Sequence, residues 1–319
     1  MKAISYDHFG PVDVLHMAES AVPVAGRGQI LVAVRSSSVN VLDSRVRNGQ
    51  MGILVNKKFP KIPGADFSGV VAALGEGVTG LKVGDAVYGA ADPFKGGAFA
   101  EFVAVPADQA ALRPAALSFE QAAALPITAL AALLSLRDLG AVKADDCVLI
   151  HGASGAVGLY ATQMAKAMGA KVTAVAGTAG VAALKALGAD EVIDYQKPGE
   201  SALRGSFDVI INASGKMPYA SGKRLLKANG RLIEPSPTIP VFIGSKIANL
   251  FRSKKHLVLQ TFPRRRDLDA LSAMIAKGQL QTSIAATYPL IDAAQATRAL
   301  EKGGVVGKIV VTIDGAASH

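Results

Sequence analysis

Residues 148–175, VLIHGASGAVGLYATQMAKAMGAKVTAV, carry the signal on which the rest of the chain is read. An apolar run, Val148-Leu149-Ile150, ends at three glycines, Gly152, Gly155 and Gly158, spaced G-x-x-G-x-x-G. Leu159, Met164, Ala165 and Met168 then recur on one helical face, and a second apolar run opens at Lys171. Strand, glycine turn, helix and strand in this order predict a βαβ unit that holds a dinucleotide. Positions without side chains let main-chain amides reach a pyrophosphate at the positive end of the new helix. The expected contact set is Gly152, Ala153, Ser154, Gly155, Ala156, Val157 and Gly158. Glycines at this spacing also make ordinary tight turns, and it is the flanking strands and helix that favour the nucleotide.

On the N-terminal side the chain is rich in short strands and turns: KAISY, ILVAVRSSSV, DFSGVVAALG, DAVYG and AFAEFVAV, separated by Gly, Pro and Asp. This predicts a compact β domain over residues 1–122. From Ser118 the character changes. Ser118 can cap a helix, and Pro126 interrupts the alanine-rich helical region that follows. Beyond the glycine turn, KVTAV, EVID, DVIIN, GRLIEP and HLVLQTF alternate with helices expected near 156–168, 179–187 and 218–228. Such alternation implies a parallel sheet covered on both faces. Helices near 267–277 and 292–302 and a last strand, GKIVVTI, complete the chain. The fold class expected is α/β, a doubly wound parallel sheet over 123–263 beside a mainly β domain.

A length of 319 residues allows two domains, each with its own core. Half the residues are hydrophobic, yet no uninterrupted apolar segment approaches the roughly 20 residues that cross a bilayer. The opening MKAISYDHFGPVDVLHMAE has acids and a Gly-Pro break where a signal peptide needs an apolar centre. A single cysteine, Cys147, excludes an internal disulfide, and at the head of an apolar strand it is expected to pack. These features predict a soluble, cytoplasmic protein. The net charge of +9 gathers at Arg252, Lys254 and Lys255 and at Arg264, Arg265 and Arg266. No arginine-glycine repeat or aromatic-rich motif accompanies them, so a solvated edge is expected, with a role near cofactor phosphates or an acidic partner as the alternative, and nucleic-acid or membrane contact is not.

The succession NVLDSRVRNG, IPGADFSGVV, VGDAVYG, GGAFAEFV, LPITALAALLSL, GASGAVG, LGADEVIDY and GGVVGKIVV, running nearly end to end, resembles the medium-chain dehydrogenase/reductases. Within that superfamily it is similar to the zinc-free quinone oxidoreductase and enone reductase branch. The resemblance implies a GroES-like, partly open barrel over 1–122 and 264–319, a Rossmann domain over 123–263, and a homodimer joined at the Rossmann sheet edge, where HLVLQTF could be the edge strand. It also implies a small-molecule substrate, a quinone or an enone.

Zinc can be judged from the residues. A catalytic zinc takes about three ligands from Cys, His and Asp/Glu, and a structural one about four, mostly cysteine. One cysteine and five scattered histidines cannot supply a four-cysteine lobe. Where zinc-dependent relatives carry a cysteine before the first helix this chain reads SSSVN, and where they carry Gly-His-Glu it reads Gly64-Ala65-Asp66. No metal is expected. His151 has no partner near it in sequence and is read as packed or solvent-facing.

The remaining chemistry is hydride delivery from a reduced nicotinamide to a conjugated acceptor. By resemblance Asn40 and Asp43 form the N-x-x-D at the cleft, against plain readings as a turn residue and a helix cap. Arg45 matches a lysine of enone-reducing relatives and could reach a substrate carbonyl or a cofactor phosphate. With Met51 it stands where quinone-reducing relatives often carry tyrosines. Asp66 is read as structural. Water, or a hydroxyl such as Tyr88 or Ser38, is the default proton source.

For the cofactor, the second strand ends in VAGTAGV with no acid to hold a ribose 2′-hydroxyl, so NADPH is expected over NADH. Gly177 and Thr178 can offer an amide and a hydroxyl to the extra phosphate. Tyr195 matches a packing tyrosine. Ala179 stands where a cation is usual, leaving Lys197 or Arg45 as substitutes. Thr128, Ser214, Gly215, Ser236, Gln260 to Phe262 and Lys308 match further cofactor-lining positions. Two alternatives remain: a catalytically idle NADPH-binding protein of the sensor or crystallin kind, and an RNA- or membrane-surface-binding relative using the 252–266 cations.

Overall fold

The computed structural model describes residues 1–197, 203–236, 241, 245, 249, 252–259 and 263–314. Strands β1 (Lys2–Ser5) and β2 (His16–Glu19) form an antiparallel pair. Strand β3 (Gln29–Ser38) buries every second residue, Ile30, Val32 and Val34, as a one-sided strand should. It leads into the short helix α1 (Val41–Arg47). Strands β4 (Asp66–Leu74), β5 (Ala86–Ala90), β6 (Phe102–Pro106) and β7 (Ala110–Leu112) extend the same mainly antiparallel sheet.

Ser118 caps α2 (Phe119–Ala123): its Oγ accepts the Gln121 amide at 3.2 Å while the Gln121 side chain accepts the Ser118 amide at 2.9 Å. Pro126 occupies the first turn of a separate helix, α3 (Pro126–Leu134), where its missing N–H costs nothing. A parallel sheet then alternates with helices: β8 (Cys147–His151), α4 (Ala156–Ala167), β9 (Lys171–Ala176), α5 (Thr178–Ala186), β10 (Glu191–Asp194), β11 (Phe207–Asn212), α6 (Tyr219–Leu225), β12 (Leu226–Glu234) and β13 (Lys255–Val258). Its order is β10-β9-β8-β11-β12-β13, so the direction of winding reverses between β8 and β11. Val148, Leu149 and Ile150 are fully buried because helices cover both faces.

The helix expected over 218–228 stops at Leu225. Leu226 instead pairs with Phe207, and the register irregularity between Phe207 and Val209 accommodates the extra residues of β12. Three strands, β2, β7 and β14 (Ile284–Pro289), are too short or too polar to have been read from alternation. After α7 (Arg265–Ala276), β14 pairs in parallel with β15 (Lys308–Thr312), which follows α8 (Ala293–Lys302). β15 in turn pairs antiparallel with β3, Val310 opposite Ser38. The last strand thereby completes the first domain's sheet, and Ile309 and Val311 join Ile30, Val32 and Phe67 in its core.

Tyr88 is fully buried, and its hydroxyl donates to the Leu268 carbonyl at 2.6 Å with Ser272 Oγ at 2.9 Å. Tyr88 fastens β5 to α7 and is not a proton source at the cleft. The basic segment is more occupied than a solvated edge would be. Arg252 lies over the Tyr219 ring at 4.2 Å, Lys254 donates to the carbonyls of Lys223 and Leu226, and Lys255 donates to that of Asn249. Arg265 reaches the Ala107 carbonyl. Cys147 is half-buried, its amide donating to Asp208 at 2.8 Å. No helix among the described residues is long and apolar enough to cross a membrane.

Candidate active site

The glycine turn leaves β8 at the reversal of winding, where open α/β sheets bind their ligands. Each glycine has its own physical reason. Gly152 holds φ +83, and a Cβ there would stand 2.7 Å from the Ser214 amide. A Cβ on Gly158 would stand 2.5 Å from both Ala153 Cα and the Gly152 carbonyl, so α4 can press onto the turn only with glycine there. Gly155 differs: its Cβ would meet nothing nearer than 3.6 Å. The fold therefore leaves open space above Gly155, a cradle that a side chain would fill. The first-turn amides of Ala156, Val157 and Gly158 have no intrahelical acceptor and face that end of the helix.

A cavity of about 160 Å³ opens beside this turn, lined by Gly152, Gly155, Ala156, Val157 and Gly158 and, from other segments, by Asn40, Thr128 and Lys308. Ala153 is fully buried below it. The Ser154 carbonyl accepts the Gly307 amide at 3.2 Å, which ties the turn to the start of β15.

Asp66 is the hub of the polar groups behind the cavity. Its Oδ2 accepts from Ser38 Oγ at 2.7 Å and from Asn40 Nδ2 at 2.9 Å and lies 3.1 Å from Lys308 Nζ. Its Oδ1 accepts the Ile127 amide at 2.8 Å, in the first turn of α3. Lys308 also donates to Asn40 Oδ1. Asp66 is 0% and Lys308 2% exposed, so the cation resident in this cluster is an ammonium. Both Asn40 Nδ2 hydrogens are engaged, with Asp66 and with the Ser38 carbonyl, and its Oδ1 accepts from Lys308. Ser38 gives its proton to Asp66 and is no free proton source.

Asp43 does not line the cavity. Asn40 is the N-cap of α1, and Asp43, three residues on, accepts the Asn40 amide at 2.8 Å. Burial pushes the Asp43 carboxyl up to about 7, opposed by the Asn40 hydrogen bond. Arg45 crosses the cleft: its Nη1 donates to the Ser236 carbonyl at 3.0 Å and to Ser236 Oγ at 3.1 Å, at the end of β12. Burial lowers its affinity for a proton, and the nearby Glu234 carboxylate raises it. Three strand spacings, roughly 14 Å, separate that position from the end of β9. Arg45 is thus not a substitute cation for a phosphate at Thr178. Ser214, at the end of β11, bonds His151 Nδ1 at 2.6 Å and donates to Asn212 Oδ1 at 3.0 Å. His151 thereby has a partner 63 residues away in sequence. Phe262 and its neighbours Gln260 and Thr261 lie outside the described residues.

A second group forms at the ends of β9 and β10. The Tyr195 hydroxyl stands 3.2 Å from where a Gly177 Cβ would be, and Thr178 opens α5. Sequence reading missed Asp194, whose Oδ2 accepts the Thr178 hydroxyl at 2.6 Å. The signal is an acid closing the strand EVID, which is the neighbour of the strand that ends in VAGTAGV. Glu234, Asn212 and His256 were missed as well. Asn212 Nδ2 donates to Glu234 Oε1 at 2.7 Å, and His256 Nε2 lies 3.6 Å from the same oxygen.

Two family models match the chain: an alcohol dehydrogenase GroES-like domain over 26–115 and a zinc-binding dehydrogenase over 187–311. The chain is 33% identical over 322 residues, 98% of each chain, to the chloroplastic quinone-oxidoreductase QR1 of Triphysaria versicolor. Among solved structures it is similar to the quinone oxidoreductase of Coxiella burnetii, with a TM-score of 0.90 and 33% identity over 98% of this chain and 99% of that one. It is also similar to the Escherichia coli quinone oxidoreductase solved with NADPH, with a TM-score of 0.83 and 27% identity over 98% and 100% of the two chains.

Proposed function

The chain belongs to the medium-chain dehydrogenase/reductase superfamily, among homologues of quinone oxidoreductases, and on that premise we propose an NADPH-dependent, zinc-independent reductase of quinones or of the conjugated double bond of α,β-unsaturated carbonyls. The observation that carries the reading is the open space above Gly155 beside a cavity shared by the glycine turn, Asn40, Thr128 and Lys308. When bound, the reduced nicotinamide supplies a hydride. Ala156, Val157 and Gly158 would hold the pyrophosphate by their amides, and Lys308, its charge matched by Asp66, shapes the facing wall. Asp66 holds Lys308 and Asn40 in place, and Asp43 fixes the Asn40 backbone. Arg45, at the far end of the cleft, orients an acceptor carbonyl. Ser214 and Ser236 line the same half of the carboxyl edge, and Gly177, Thr178 and Tyr195 receive the adenosine ribose. NADPH is assigned because β9 ends without an acid.

Zinc does not fit the residues present. The Asp66 carboxylate already takes an ammonium and three hydrogen bonds, and the described residues hold no group of three or more His, Cys, Asp or Glu side chains arranged for a metal. We assign a homodimer joined along β13, the edge strand of the parallel sheet, and size-exclusion chromatography with light scattering tests it. The function itself is tested by following NADPH oxidation against quinones, short enals and longer enones, with metal analysis of the purified protein. Turnover of one of these classes by metal-free protein is the expected outcome. Failure to bind either reduced nucleotide, or a stoichiometric transition metal, would overturn it.

A further inference from the structure

The adenosine end of the cleft has a donor and acceptor pattern of its own. Thr178 is exposed in the first turn of α5, and Asp194, 2% exposed, sits behind it. A carboxylate only accepts, so the 2.6 Å bond runs from the Thr178 hydroxyl to Asp194 Oδ2 and uses the one hydroxyl proton. That bond is the largest of the causes holding the Asp194 carboxyl below the usual range. The Thr178 amide donates to Gln196 Oε1 at 3.0 Å, and the Gln196 amide donates to Asp194 Oδ1 at 3.0 Å. Both Thr178 donors that would serve a 2′-phosphate are engaged within the chain. What Thr178 turns outward is a pair of Oγ1 lone pairs, with a negative charge behind them.

Resting on the nicotinamide-dinucleotide reading above, we infer that Asp194 is a specificity-determining residue: by fixing the Thr178 hydroxyl as an acceptor, it lets the site take a ribose 2′-hydroxyl and withholds strong preference for a 2′-phosphate. A 2′-hydroxyl brings a proton for Oγ1. A phosphate brings only acceptors and negative charge, which face an acceptor and a like charge. The Tyr195 hydroxyl and the exposed Lys197 remain on the favourable side for phosphate, so NADPH is still accepted. The chain therefore prefers NADPH only weakly over NADH, although the end of β9 lacks an acid.

Calorimetric titration with NADPH and with NADH tests this in the wild type and in Asp194→Asn, which keeps the shape, removes the charge and can donate to Thr178 Oγ1. The wild-type dissociation constants are expected to lie within about tenfold of each other, and D194N to shift their ratio toward NADPH by a further factor of about ten. The wild-type ratio alone keeps the inference testable should D194N fold poorly. A wild-type preference for NADPH of about a hundredfold or more, or a D194N that binds both with an unchanged ratio, overturns the inference and leaves the nicotinamide reading standing. If the wild type binds neither nucleotide, that reading falls and the inference with it.

Discussion

The Lys308 ammonium lies 3.1 Å from the Asp66 carboxylate, and the two side chains are 2% and 0% exposed. Each charge offsets the other's burial, since an unpaired charge in such a place costs several kcal/mol. Asp66 takes further bonds from Ser38, Asn40 and Ile127 and so joins β3, β4, α3 and β15 around one point.

Lys308→Met should lower unfolding free energy by about 3–5 kcal/mol, because it leaves the Asp66 carboxylate alone in the interior. The double variant Asp66→Asn with Lys308→Met should regain a substantial part of that loss. Urea denaturation of the two single variants and the double variant gives the coupling. Additive losses would show that the pair does not act as a unit.

The two glycines Gly155 and Gly158 separate fold from ligand. Gly158→Ala pushes a methyl into main-chain atoms at 2.5 Å and should cost about 1–3 kcal/mol of stability. Gly155→Ala meets nothing inside 3.6 Å and should hold stability to within about 1 kcal/mol while weakening NADPH binding about tenfold or more. Thermal melts beside calorimetry check both. Unaltered nucleotide affinity in G155A would argue that no pyrophosphate sits there.

Asp43 makes stability depend on pH. Its carboxyl is raised from 3.8 to about 7, chiefly by burial, so the folded state binds its proton more tightly than the unfolded state does. Stabilisation is then fully present below about pH 4 and is lost as pH rises to about 7. Asp43→Asn should flatten the pH dependence of the unfolding free energy between those limits and leave the variant the more stable protein at pH 8. Parallel profiles for wild type and D43N across that window would contradict the assignment.

Arg45→Met should spare the nucleotide and impair the acceptor. Its guanidinium is bonded to Ser236, on the opposite half of the sheet from Thr178. The NADPH dissociation constant is expected to stay within about twofold, and KM for the carbonyl substrate to rise about tenfold, the scale of one charged hydrogen bond. A loss of NADPH affinity with unchanged KM would reverse the assignment of its role.

Tyr88→Phe removes the bond to Leu268 and the contact with Ser272. A loss of about 1–2 kcal/mol in stability with turnover unchanged is expected. A selective fall in kcat would restore Tyr88 as a proton source.

Much of the architecture is legible in the sequence. VLIHGASGAVG announces its own strand, turn and helix because hydrophobic period, glycine freedom and helix start act over a few residues. Ser118 and Pro126 were legible for the same reason, since a cap and a first-turn proline are local chemistry. The helix at 218–228 was overextended because pairing of Leu226 with Phe207, nineteen residues away, outweighed local propensity. The partners of the site were out of reach for the same cause on a larger scale. Nothing near Asp66 in the chain names Lys308 as its counter-ion, and nothing in VAGTAGV reveals that Asp194 stands behind Thr178. Antiparallel pairing of β15 with β3, and parallel pairing of β10 with β9, bring those side chains together. Short-range order is written in neighbouring residues, whereas the charge and hydrogen-bond direction at a cleft depend on which distant strand ends the packed core sets side by side.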